Sequence, residues 1–160
     1  MHPLHNGDWG FETNCFVCEP ANTSGLRVPF LHDEQGKRVV APFNLSNDFS
    51  GAPQYVHGGL VLALMDEAMA WAAIAIAGKI AVTQSSTAAF DRPVRIGRDY
   101  EVEARLSAIA DERIDAEALV RDAKDRVCAS ATGVFIPLGA AHARDAIGAD
   151  LTDRDATFLA

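Results

Sequence analysis

His57, Gly58, Gly59 and Asp66 are the residues whose types and spacing could do chemistry. The two glycines open an apolar run from Leu60 to Ala77. If that run is helical, the first backbone N–H groups lack partners within the helix and lie at its positive end. Without Cβ atoms, glycines there let a carbonyl oxygen approach closely. That is an oxyanion or anion site of the kind acyl transfer needs, although glycine is also tolerated as a plain cap. Asp66 and Glu67 interrupt the run. A carboxylate inside an apolar helix must neutralise or find hydrogen bonds. Adjacent residues lie about 100° apart around a helix, so one acid can be wet while the other is covered. We assign Asp66 as the covered, functional acid and Glu67 to the solvent stripe.

The spacing poses a problem. His57 and Asp66 are about 13.5 Å apart along a helix axis and about 900° around it, on nearly opposite faces. One helix cannot present both to one substrate. Two antiparallel helices at a two-fold interface can. A site using both residues therefore requires a homodimer or homotetramer, with Asp66 supplied by the neighbouring chain.

Cysteines occur at positions 15, 18 and 128. Cys15 and Cys18 form a C-x-x-C, which suits zinc or thiol redox chemistry, and His2 and His5 could complete a four-ligand zinc set. No second C-x-x-C follows and no βαβ pattern surrounds this one, so packing is the expected role, with no metal and no cofactor. The odd cysteine count, and residues 1–20 without a basic segment leading into an apolar one, lead us to expect a cytoplasmic protein.

These residues need elements to position them. A chain of 160 residues with 49% hydrophobic and 22% charged residues suits one globular domain. The net charge of −8 argues against a nucleic-acid or anionic-membrane partner and leaves room for a local basic patch. Residues 1–24 read as irregular and residues 139–160 as a tail, either frayed or a short helix. Between them, residues 25–138 form the expected domain. Leu26 to His32 reads as a short strand, placed at an edge by Pro29. Arg38 to Phe43 is its hairpin partner, and residues 46–54 are loop. Residues 58–77 read as a helix ended by Gly78. Strands follow over 81–90, 100–108, 113–121 and 126–136, three of them alternating apolar and polar positions as antiparallel strands with one wet face do. The helix is about 30 Å long, enough to span a bilayer, but two central acids would cost several kcal/mol in lipid. An almost wholly apolar helix must instead be covered. A curved antiparallel sheet wrapped around it satisfies both patterns: an α+β hot-dog fold.

The segment Val56-His57-Gly58-Gly59, with Leu64, Asp66, Glu67 and Ala68 following, resembles the V-H-G-G-x-x-x-x-L-x-D-E-A pattern of hot-dog-fold acyl-CoA thioesterases of the phenylacetate-pathway (PaaI-like) type, in the thioesterase superfamily. Val82-Thr83 and Phe90-Asp91-Arg92-Pro93-Val94 are similar to the family's strand after the helix. Cys15-Phe16-Val17-Cys18, Asn22 and Gly25-Leu26 are similar to the entry segment of one subgroup. The resemblance implies hydrolysis of an acyl-CoA thioester. Gly58, with Gly59 beside it, would polarise the carbonyl. Asp66 of a partner chain would act as base or nucleophile. Thr83 would orient the acid or water, and His57 would hold the loop and the carbonyl or thiol end. The alternative is a non-catalytic acyl-CoA or lipid-binding protein. Relatives often carry Asn or Gln six residues before the His. Here that position is Gly51, with Ser50 and Gln54 the nearest polar substitutes. Glu19 and Thr23 also depart from the subgroup's Gly and Pro. Arg92 and Arg95 are the expected contacts for CoA phosphates.

Overall fold

The computed structural model describes residues 1–9 and 13–147. Its main sheet has seven strands, all pairs antiparallel: β1 (His2–Leu4), β2 (Phe30–Asp33), β3 (Arg38–Phe43), β6 (Ala81–Phe90), β7 (Tyr100–Ile109), β8 (Ile114–Asp122) and β9 (Val127–Pro137). Their order is β1-β2-β3-β7-β8-β9-β6. A two-stranded ribbon, β4 (Ser50–Ala52) with β5 (Tyr55–Val56), precedes the central helix α1 (Gly58–Ala77). A short helix, α2 (Ala140–Ile147), follows the sheet. The sheet curves around α1 as expected, giving the hot-dog fold.

The helix bounds match the sequence expectation. Gly78 ends it in the left-handed region at φ 65°, and its N–H reaches back to Ile74 O, a conformation glycine adopts without a Cβ penalty. By length and composition α1 could cross a membrane. In the fold it is the core helix: Val61, Leu64, Met65, Ala68, Met69, Trp71, Ala72 and Ala73 are buried. Facing them are small sheet residues, Ala104, Ala116, Ala118, Ala129 and Ala131, all buried. Alanines on the sheet leave depth for Leu, Met and Trp on the helix, so the two layers close at interior density.

Four expectations need correction. The N-terminal stretch is not wholly irregular, because β1 pairs with β2 through His2–His32 and Leu4–Phe30. Consequently β2 is not an edge strand, and Pro29 precedes it rather than capping its exposed side. The loop over 46–54 contains a 3-10 turn, Asn47–Phe49, and half of the β4–β5 ribbon. A bulge at Ser107, between the Leu106 and Ala108 pairings, also interrupts the alternation expected for β7, so Ala108 is exposed. Of the tail, 140–147 is helical and 148–160 lies outside the described residues.

One edge of the sheet is β6. This ten-residue strand is paired on one side only, and most of its side chains are exposed, Val82 at 47% and Phe90 at 53%.

Candidate active site

The β4–β5 ribbon delivers the chain to the start of α1. Val56 N–H bonds Val94 O at 2.9 Å and His57 N–H bonds Phe49 O at 3.0 Å. His57 is the N-cap, with its Nδ1 accepting from Gly59 N–H at 2.9 Å. That fixes the ring's Nδ1 as acceptor and leaves the proton of a neutral ring on Nε2. It also occupies Gly59. The N–H of Gly59 points at His57 rather than outward, so the free donor at this helix end is Gly58, whose N–H has no hydrogen-bond partner among the described residues.

Gly58 opens onto a cavity of about 300 Å³ lined by Tyr55, Val61, Phe90, Arg92 and Val94 among others. A Cβ at Gly58 would meet only the Phe90 ring edge, at 3.9 Å. Arg92 is steadied there by donating from Nη1 to Val127 O at 2.6 Å. Arg95 lies outside the cavity lining, its guanidinium over the Tyr55 ring at 5.4 Å. Ser50 and Gln54 do not line the cavity either. Ser50 pairs with Val56 in the ribbon, and the Gln54 carbonyl accepts from Ile96 N–H at 3.2 Å. Gly51, where relatives often carry an amide, packs on His57: a Cβ there would lie 3.0 Å from His57 Cα and 3.3 Å from its ring. In this chain glycine is what lets the ribbon approach the capping histidine.

Asp66 lies two turns further along α1. Thr83 Oγ1 on β6 donates to Asp66 Oδ1 at 2.9 Å. Thr83 is immediately followed by a bulge at Gln84 in the β6–β9 pairing, and such bulges re-aim neighbouring side chains. The pair therefore sits at the open β6 edge. Within one chain the structure joins Asp66 to Thr83 and Gly58 to Arg92, and the two groups stand at different levels of the helix, as the spacing requires.

The two acids overturn the expected burial. Asp66, expected to be covered, is half-exposed at the open edge, whereas Glu67 is turned inward, not on the wet stripe, and Cys15 Sγ lies 3.3 Å from its Oε1. Burial, then the neighbouring Cys15, pushes its carboxyl up to about 8. Cys15 is held down to about 5, chiefly by hydrogen bonding from Cys18. The same contact, with burial, pushes Cys18 up. A loop over residues 13–26 builds this cluster. Asn22 Nδ2 donates to Asn14 O at 3.0 Å, Ser24 N–H bonds Asn22 Oδ1 at 3.0 Å, and Leu26 N–H bonds Phe16 O at 2.7 Å. A Cβ at Gly25 would collide with the Phe16 carbonyl. His2, drafted from sequence as a companion ligand, instead faces Glu34 at 3.8 Å. The C-x-x-C was visible in the sequence, whereas its third member, 52 positions away, carried no spacing signal.

Comparison with known proteins gives the following. The family model described as "Thioesterase superfamily" matches residues 53–129. Mouse acyl-coenzyme A thioesterase THEM5 is 30% identical over 112 residues, covering 69% of this chain and 44% of that protein. The chain thus spans less than half the length of that relative. Among solved structures, a thioesterase superfamily protein superposes with a TM-score of 0.68 at 25% identity, over 73% of this chain and 57% of the other. The PaaI protein of the E. coli phenylacetic acid degradation operon gives 0.65 at 22% identity, over 71% and 81%.

Proposed function

We propose that the chain, which matches the thioesterase superfamily over residues 53–129, is a member of that superfamily and hydrolyses an acyl-CoA thioester to the free acid and CoA. The observation that carries this reading is Asp66: a carboxylate on the core helix, held by Thr83 at 2.9 Å at the open edge of the sheet. Among the described residues its side-chain partner is a neutral hydroxyl on Oδ1, which leaves Oδ2 for a proton.

The steps follow from that geometry. The thioester carbonyl oxygen sits at the Gly58 N–H, in the field of the α1 N-terminus. Asp66 of a second copy takes a proton from water as the water oxygen attacks the carbonyl carbon. Negative charge moves to the carbonyl oxygen and is stabilised by Gly58. The C–S bond then breaks, and the sulfur leaves as thiol with the proton held by Asp66. His57 holds the loop by capping α1. The cavity beside Gly58 and Phe90 receives substrate, with Arg92 at its wall for anionic groups. The copies pair through β6, whose long, exposed strand is a template for another strand.

Release of free thiol from a panel of acyl-CoAs tests this. Asp66→Asn is expected to lower kcat by about 10²–10⁴-fold, the usual weight of a general base. Gly58→Pro deletes the free N–H at a helix position that accepts proline, after a residue already extended at ψ 129°. It should cost about 10²–10³-fold in kcat with the helix intact. Unchanged rates in both variants would sink the mechanism. Tight acyl-CoA binding without turnover in wild type would favour a non-catalytic binding protein, the reading suggested by Gly51 in place of an amide.

A further inference from the structure

We infer that Cys15, Cys18 and Glu67 form a binding site for a soft divalent cation, zinc by preference, which ties the N-terminal loop to the central helix. The three ligand atoms lie within 4.8 Å of one another. Around a four-coordinate zinc, with Zn–S about 2.3 Å and Zn–O about 2.0–2.2 Å, neighbouring ligand atoms are roughly 3.4–3.8 Å apart. The Cys15–Glu67 pair, at 3.3 Å, is slightly closer than that spacing, so a small separation of the two would admit the ion.

Two further observations support a cation. First, the loop is shaped without one. The Asn22 bonds, the Phe16–Gly25 approach and the Glu19 N–H to Cys15 O bond of 3.2 Å aim both sulfurs at α1. A site preformed in this way loses little ordering entropy on binding. Second, Glu67 is a half-buried, inward-turned carboxylate with thiols rather than a cation beside it. The half-buried acids of the sheet, Asp33 and Glu103, are paired with Arg38 and Arg105. A dication supplies the counter-charge with which Glu67 can ionise in that position. Two thiolates with one carboxylate select zinc over magnesium or calcium, which prefer all-oxygen sets. Cys18 also lines a cavity of about 470 Å³, from which water can supply a fourth ligand. All three groups bind as anions, so binding displaces to solvent whatever protons the two thiols and the Glu67 carboxyl carry. This inference does not depend on the thioesterase reading.

The full chain, reduced and stripped of metal, is titrated with Co²⁺ and followed by absorbance. The expected result is a near-ultraviolet sulfur-to-cobalt charge-transfer band with strong visible bands of a four-coordinate ion, saturating at one ion per chain and abolished by Zn²⁺. Cys18→Ser should diminish the charge-transfer band. Removing residues that merely orient a metal ligand costs about 10–100-fold in affinity. Glu67→Gln, which removes a ligand at constant volume, should therefore weaken binding by at least about 10-fold while circular dichroism stays native. The proposal is overturned by a weak six-coordinate spectrum, by equal affinity in Glu67→Gln, or by a Cys15–Cys18 disulfide that forms as readily with Zn²⁺ present as without it.

Discussion

His57 shows how one side chain sets the chemistry of its neighbours. By accepting from Gly59 it turns that N–H inward and leaves Gly58 as the outward donor. Loss of a side-chain cap costs about 0.5–2 kcal/mol. His57→Ala should therefore lower the melting temperature, whereas His57→Asn, an equally good cap, should restore it. Calorimetry of the two variants measures this. If activity follows stability in both, the histidine acts through the cap alone. At this scale the sequence was only half legible. The acids 66 and 67 were visible, but helix phase does not say which face the 13–26 loop covers. That loop packs on Glu67, so the wet-stripe assignment failed there.

At the scale of elements, α1 and its strands were readable because their periods are set by local geometry. The fit between them was not. Gly133 on β9 is one case: a Cβ there would lie 2.8 Å from the Phe135 ring and 3.1 Å from Met69 Cε. Gly133→Val should cost about 1–3 kcal/mol through overpacking, measured as a fall in the urea midpoint. Between β2, β3 and β7, Arg38 bridges Asp33 at 2.9 Å and Glu103 at 2.6 Å, and Arg105 adds a second bond to Glu103. Burial opposes ionisation of Glu103, but the two arginines outweigh it and hold its carboxyl below the usual range. Asp33 is lowered as well, chiefly by Arg38. A depressed carboxyl stabilises the fold above its unfolded value and loses that contribution as pH falls through the folded one. Stability should thus decline on acidification below about pH 4. Urea midpoints of Glu103→Gln should fall less steeply over that window than those of wild type.

For the whole molecule, the proposed site is divided: Gly58 and Arg92 stand at one level of α1, Asp66 and Thr83 at another. If two copies share each site, mixing Asp66→Asn with Gly58→Pro should restore thiol release, because one site of each hybrid pair carries both intact groups. The mixture is assayed after denaturation and joint refolding. Activity no higher than either variant alone would refute sharing. Opening of the β6 edge by charge, for example Val82→Lys, offers a companion check, since sedimentation should then show a shift toward monomer.

By itself the sequence determined the long apolar helix, its glycine start and stop, the alternating strands after it, and the acid at position 66, because all of these are written in short-range periodicity and residue type. It also carried the resemblance to thioesterases over a continuous segment. The tertiary structure alone decided what touches across the chain: Thr83 on Asp66, Gly51 behind His57, β1 covering β2, and Cys15 and Cys18 on Glu67. Those contacts depend on where a distant segment folds back, and nothing in the spacing of residues near Glu67 encodes the loop that comes to lie on it.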